Sequence, residues 1–105
     1  MNCNPIVIAD AEGVIRFWSP GAEATFGYSA AQSVGQTLDL IVPAEYRDAH
    51  WKGFRRAVTS GKAVEGQVNP IPVNTADGEI ITVPGQLTLV RQASGQVIAV
   101  MVVFG

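Results

Sequence analysis

The chain has one histidine, His50, and its neighbours decide what it can do. Between Pro43 and Thr59, Tyr46, His50, Phe54 and Val58 recur every four positions, joined by Ala49 and Ala57. That spacing predicts a helix over 43–59 with one apolar stripe, and it puts His50 in the middle of the inward face. Arg47, Asp48, Lys52, Arg55 and Arg56 fall mostly off the stripe. A neutral imidazole facing inward needs a partner for at least one ring nitrogen. Two kinds of chemistry meet that need. One is a hydrogen bond to a backbone carbonyl, as in a core histidine. The other is axial ligation of haem iron, for which one neutral imidazole suffices.

A second polar pair follows the helix. Gln67, Asn69, Ile71 and Val73 alternate along a predicted strand and share one face. If Ile71 and Val73 face the core, the two amides face the same interior and can donate to a polar diatomic ligand or hold a water. Pro70 and Pro72 make this strand irregular, and on an edge the same amides would meet solvent. Leu87 and Leu89 on the next strand offer apolar pocket walls or plain sheet core. The last strand adds either Val100 and Val102 or Met101 and Val103. Met101 reads as a soft core filler or as a sixth iron ligand. Trp51, one residue off the stripe, covers the pocket rim or a partner surface.

The elements that must position these groups are legible on either side. Ile6–Ala9 and Val14–Trp18 are short apolar runs flanking Asp10-Ala11-Glu12-Gly13, a hairpin pattern. Ser19-Pro20 opens a short helix that Gly27 ends, and Ser29 to Gln32 has capping-box spacing for a second, closed by Gly35. After the long helix, strands are predicted over 64–73, 80–90 and 96–104, with turns at Asp77-Gly78 and Ser94-Gly95. The last strand is apolar on both faces, which suits a central, doubly covered position. The order β-β-α-α-α-β-β-β predicts an α+β domain: a five-stranded antiparallel sheet with helices across one face.

Composition bounds the function. The chain's 105 residues are 48% hydrophobic and 15% charged, enough for one domain with a core of its own. Seven basic residues against nine acidic ones leave no electrostatic footprint for nucleic acid. No apolar run reaches membrane-spanning length, and Met1-Asn2-Cys3-Asn4-Pro5 lacks the pattern of a signal peptide. The lone Cys3 reads as a bystander in a frayed end and fits a reducing, cytoplasmic setting. There is no nucleophile–base pair, no phosphate loop, no dinucleotide fingerprint and no metal-ligand cluster beyond His50, so the chain does not read as an enzyme.

The element order, Asp10-Ala11-Glu12-Gly13 and Phe26-Gly27-Tyr28-Ser29 together resemble the PAS family over nearly the whole chain. Val42-Pro43-Ala44-Glu45-Tyr46-Arg47-Asp48-Ala49-His50 is similar to the helix of the haem PAS sensors, the FixL-type oxygen-sensing kinases and direct oxygen-sensor phosphodiesterases. Gly61-Lys62-Ala63-Val64-Glu65-Gly66 is similar to the helix-to-strand link of the phosphodiesterase group. The resemblance implies haem b with His50 as proximal iron ligand and Arg56 beside a propionate. The position matching Asn69 holds an oxygen-bonding arginine in those sensors, and the one matching Gln67 a methionine ligand in the phosphodiesterase group. This chain departs from both. The photoactive cysteine of the flavin-binding light sensors is also missing from the long helix.

The expectation is a single bacterial PAS sensor domain over residues 1–105, cut from a longer signalling protein. It would bind haem at a site of His50, Arg56, Gln67, Asn69, Leu87 and Leu89. It would detect O2, CO, NO or a redox change and signal to an output domain, with homodimer formation open to it. The competing expectations are a haem-free PAS module for another small ligand or for dimerisation, and an interaction domain with a filled core.

Overall fold

A computed structural model describes residues 3–105. Five strands, β1 (Ile6–Asp10), β2 (Ile15–Trp18), β3 (Val68–Asn74), β4 (Ile80–Arg91) and β5 (Val97–Phe104), form one antiparallel sheet in the order β2-β1-β5-β4-β3. β2 and β3 lie at opposite edges. The chain between them must therefore cross a face of the sheet, and it does so as α1 (Pro20–Phe26), α2 (Ala30–Ser33) and α3 (Arg47–Ser60). The expected architecture is thus present, with strand boundaries shifted by up to four residues.

The N-terminal half is held by buried polar groups that all find partners. Ser19 caps α1 by accepting from Ala22 N–H, accepts from Ile6 N–H at 2.8 Å and donates to the Asn4 carbonyl. One hydroxyl therefore ties β1, the end of β2 and α1 together. The Trp18 indole donates to the Tyr28 carbonyl at 2.8 Å, and Ser29 with Gln32 completes the expected capping box of α2. Phe26, 1% exposed, meets Phe104 edge to face with centroids 5.1 Å apart.

The structure departs from expectation in three elements. The 43–59 helix is broken at its start: Ala44–Tyr46 is a 3-10 turn, and the α-helix begins at Arg47. The tighter turn rotates Tyr46 out of the stripe, and it is 45% exposed. A second 3-10 turn, Leu38–Leu40, was not foreseen. β5 is central, as its composition suggested, but it is covered on one face only. Val100 and Phe104 are buried beneath the helices, whereas Met101 and Val103 are half-buried and Ile98 is exposed. No helix among the described residues is long and apolar enough to cross a membrane.

Candidate functional site

Between α3 and the inner face of the sheet lies a cavity of about 430 Å³, within the usual range for small-molecule and cofactor sites. α3 contributes His50, Phe54 and Ala57; β5 contributes Val100 and Val102; β4 contributes Leu87; β3 contributes Asn69 and Ile71. Among the described residues, His50 and Asn69 are the only polar side chains lining it, and none of the lining residues is Asp, Glu, Lys or Arg. The filled-core expectation therefore does not describe this molecule.

His50 is where local structure and chemistry disagree. Its Nδ1 is buried and has no hydrogen-bond partner among the described residues. The carbonyl-bonded core histidine, one of the two readings of the sequence, is thus not found. The ring packs against Trp51 and Phe54, with centroids at 4.8 and 5.9 Å. Burial pushes its pKa below the usual 6.5 because the charged form loses water, while the nearby Asp39 carboxylate pulls the other way. The imidazole is therefore held neutral, the form that ligates a metal.

The turn around His50 is anchored through its neighbours. Trp51 donates from Nε1 to Asp39 Oδ1 at 2.7 Å. Arg47 donates to the Val42 carbonyl at 3.1 Å and to the Asp39 carbonyl at 3.2 Å. The Trp51 ring lies over Gly13, where a Cβ would come within 2.3 Å of ring carbons, and Gly13 has φ +84°. Both the close approach and the backbone sign require glycine there. Trp51 is thus a clamp between α3 and the β1–β2 turn; it does not line the cavity, contrary to the rim expectation.

Of the remaining expected site residues, Asn69 and Leu87 line the cavity, and Gln67, Leu89 and Arg56 do not. Gln67 precedes β3, after a bend at Gly66 with φ +73°, so the alternation that would carry it inward has not begun; it is exposed. Leu89 is 4% exposed but belongs to the closed core. Arg56 lies on the exposed side of α3. Between the two options on β5, Val100 and Val102 face the cavity and Met101 falls on the opposite face, which removes it as an iron ligand.

Sequence reasoning missed the clasp on the 61–67 link. β3 pairs with β4 only as far as Gln86, which leaves the rest of that edge of β4 open. The link covers it. Gly66 N–H donates to the Leu87 carbonyl at 3.3 Å, and Glu65 accepts from Leu89 N–H at 2.8 Å and from Arg91 at 3.0 Å. Arg91 also donates to the Gly61 carbonyl. The hydrogen bond from Arg91, then that from Leu89 N–H, hold the Glu65 carboxyl below its usual range. The opposite charges of Glu65 and Arg91 were visible in the sequence, but nothing marked them as partners 26 residues apart.

Comparison with known proteins agrees with the fold. The oxygen sensor protein DosP of Escherichia coli is 30% identical over 76 residues, which cover 71% of this chain and 10% of that protein. The sensor protein FixL of Bradyrhizobium diazoefficiens is 28% identical over 86 residues, 69% of this chain and 17% of that protein. The chain thus spans a small part of either relative. Among solved structures, a PAS domain from Colwellia psychrerythraea superimposes with a TM-score of 0.82 at 20% identity, covering 97% of this chain and 84% of that one. The PAS domain of the Cronobacter turicensis quorum-sensing receptor RpfR, in complex with C12:0, gives 0.77 at 17%, covering 99% and 92%. The PAS-fold family model matches residues 3–104, and the chain belongs to the PAS family of signal-transduction sensor modules.

Proposed function

We propose that this PAS domain is a haem-binding sensor module with His50 as the iron ligand. The observation that carries the reading is the His50 ring on the wall of an apolar cavity, held neutral, with a buried nitrogen that no protein group satisfies. The residues present fit the group: one imidazole, apolar walls from Leu87, Val100 and Val102, and no buried ionised group to oppose a macrocycle. Bound haem would supply an iron centre that takes O2, CO or NO or changes redox state. The names of the relatives DosP, an oxygen sensor, and FixL, a sensor, support this direction.

Each residue then has a task of its own. His50 offers a neutral ring nitrogen, and the Trp51–Asp39 anchor fixes the helical turn that carries it. Asn69 presents an amide donor to a polar ligand in the cavity. Arg56, exposed and with no ion-pair partner among the described residues, is free to meet a carboxylate at the rim. Leu87 closes a wall, and Leu89 backs the core behind it. Gln67 stays outside. The domain would form one input unit, residues 1–105, of a longer protein with an output domain.

The experiment is an absorption spectrum of the purified domain with and without hemin, beside His50→Ala. The expected result is a saturable Soret band that the substitution abolishes. No band in the wild type would sink the haem reading. A second reading then stands on the absence of an ionised lining group: a haem-free cavity for an apolar small molecule, as the C12:0 complex of the RpfR domain illustrates for this fold.

A further inference from the structure

The cavity has a doorway. Ala49 and Gly53 on α3, and Val64 and Asn69 across from them, all line the cavity and are all exposed. A residue that is both a wall and open to solvent marks a mouth, so the cavity opens between α3 and the chain that leads into β3. Ala49 and Gly53 are one helical turn apart and form one side of that mouth.

Gly53 is the residue there that the fold does not explain. Its φ is not positive, so the backbone does not call for glycine. A Cβ built on it meets nothing within 4 Å, so packing does not call for glycine either. Glycine inside a helix is less stable than alanine, and α3 carries that penalty midway along its length. The contrast with Gly13 is direct, since there the Trp51 ring occupies the place of a Cβ.

We infer that Gly53 is a size determinant of this site: it keeps the doorway open for a bulky ligand whose outer edge rests against α3 at residue 53. The inference rests on reading the cavity as a ligand site, but not on the ligand being haem. Adding a side chain at 53 leaves the apo fold intact or firmer and narrows the entrance.

The test uses hemin, with the fluorescent probe 8-anilinonaphthalene-1-sulfonate as a second ligand. The proteins are the wild type, Gly53→Ala, Gly53→Leu and the control Lys52→Leu, an exposed neighbour that does not line the cavity. Gly53→Ala is expected to raise the apo melting temperature by about 2–6 °C. Gly53→Leu is expected to weaken hemin binding at least ~10-fold while keeping a native circular dichroism spectrum, with Gly53→Ala in between and Lys52→Leu unchanged. Wild-type hemin binding that a folded Gly53→Leu matches would overturn the inference and leave the haem reading standing. If the wild type binds the sulfonate but not hemin, the haem reading fails and the sulfonate affinities decide the inference on the same criterion. If the wild type binds neither, both fail. Should Gly53→Leu not fold, Gly53→Ala decides: a firmer fold with weaker binding supports the inference, and a weaker fold or unchanged binding overturns it.

Discussion

Two inward-facing polar side chains, the buried Ser19 and the half-buried His50, show how differently the halves of this domain are built. Ser19 takes part in three hydrogen bonds that join two strands and a helix. His50 is wrapped by aromatic rings and leaves Nδ1 without a partner. A buried polar group without a hydrogen bond costs about 1–3 kcal/mol. The first half spends its polar groups on holding the fold. The second keeps one in reserve beside an open cavity. The lesson is that scaffold and site can be told apart by where the hydrogen bonds close.

If that contrast is right, truncations should separate the halves. Phe26→Ala, in the closed core, is expected to cost about 3–5 kcal/mol in urea unfolding. Leu87→Ala, on a wall that already faces empty space, should cost clearly less, because little new cavity is made. Equal losses would erase the distinction. Ser19→Ala comes next, at about 1–2 kcal/mol, with hemin binding unaltered. His50→Leu should move stability the other way, by about 1 kcal/mol in favour of the apo protein, because it removes an unsatisfied buried nitrogen. The same variant should lose the Soret band.

Acidity offers a gentler probe. The folded-state pKa of His50 is depressed below its ordinary 6.5, so the unfolded chain binds the proton more readily. The contribution of His50 is therefore complete above about pH 6.5 and is lost as pH falls through the folded value. Asp10, Glu65 and Asp77 are depressed below ordinary values of 3.8–4.5 and act only in more acid solution. Melting temperatures at pH 7.5 and 5.5 should therefore fall in the wild type and stay closer together in His50→Leu. The smallest effect is expected from Glu65→Gln. Global stability should hardly change, whereas amide exchange at Leu89 should accelerate because its carboxylate acceptor is weakened.

Much of the scaffold was legible because it rests on local rules. Ser19-Pro20, the Ser29–Gln32 box and the turn glycines act within a few residues, and each appears where the sequence put it. The unbroken apolar run of β5 identified a central strand, but not which face stayed uncovered, since coverage depends on the path of other elements. The site was legible in part. His50, Asn69 and Leu87 follow from helical and strand periods, and both periods failed where the backbone changed. The 3-10 turn at Ala44–Tyr46 displaced Tyr46, and the bend at Gly66 kept Gln67 outside. The Glu65–Arg91 clasp and the doorway at Gly53 arise only when distant segments meet.

The strand order carries one more consequence. β5 is central, with Val100 and Val102 on the cavity and Met101 and Val103 on the side that no described element covers. These side chains alternate on a single backbone, so the partition between the two sides is one strand thick. A push on Val100 or Val102 from within would therefore bear on the backbone that carries Met101 without. The sheet is thus a diaphragm, and a ligand that pressed on its cavity side would be felt on the outer surface with no relay in between.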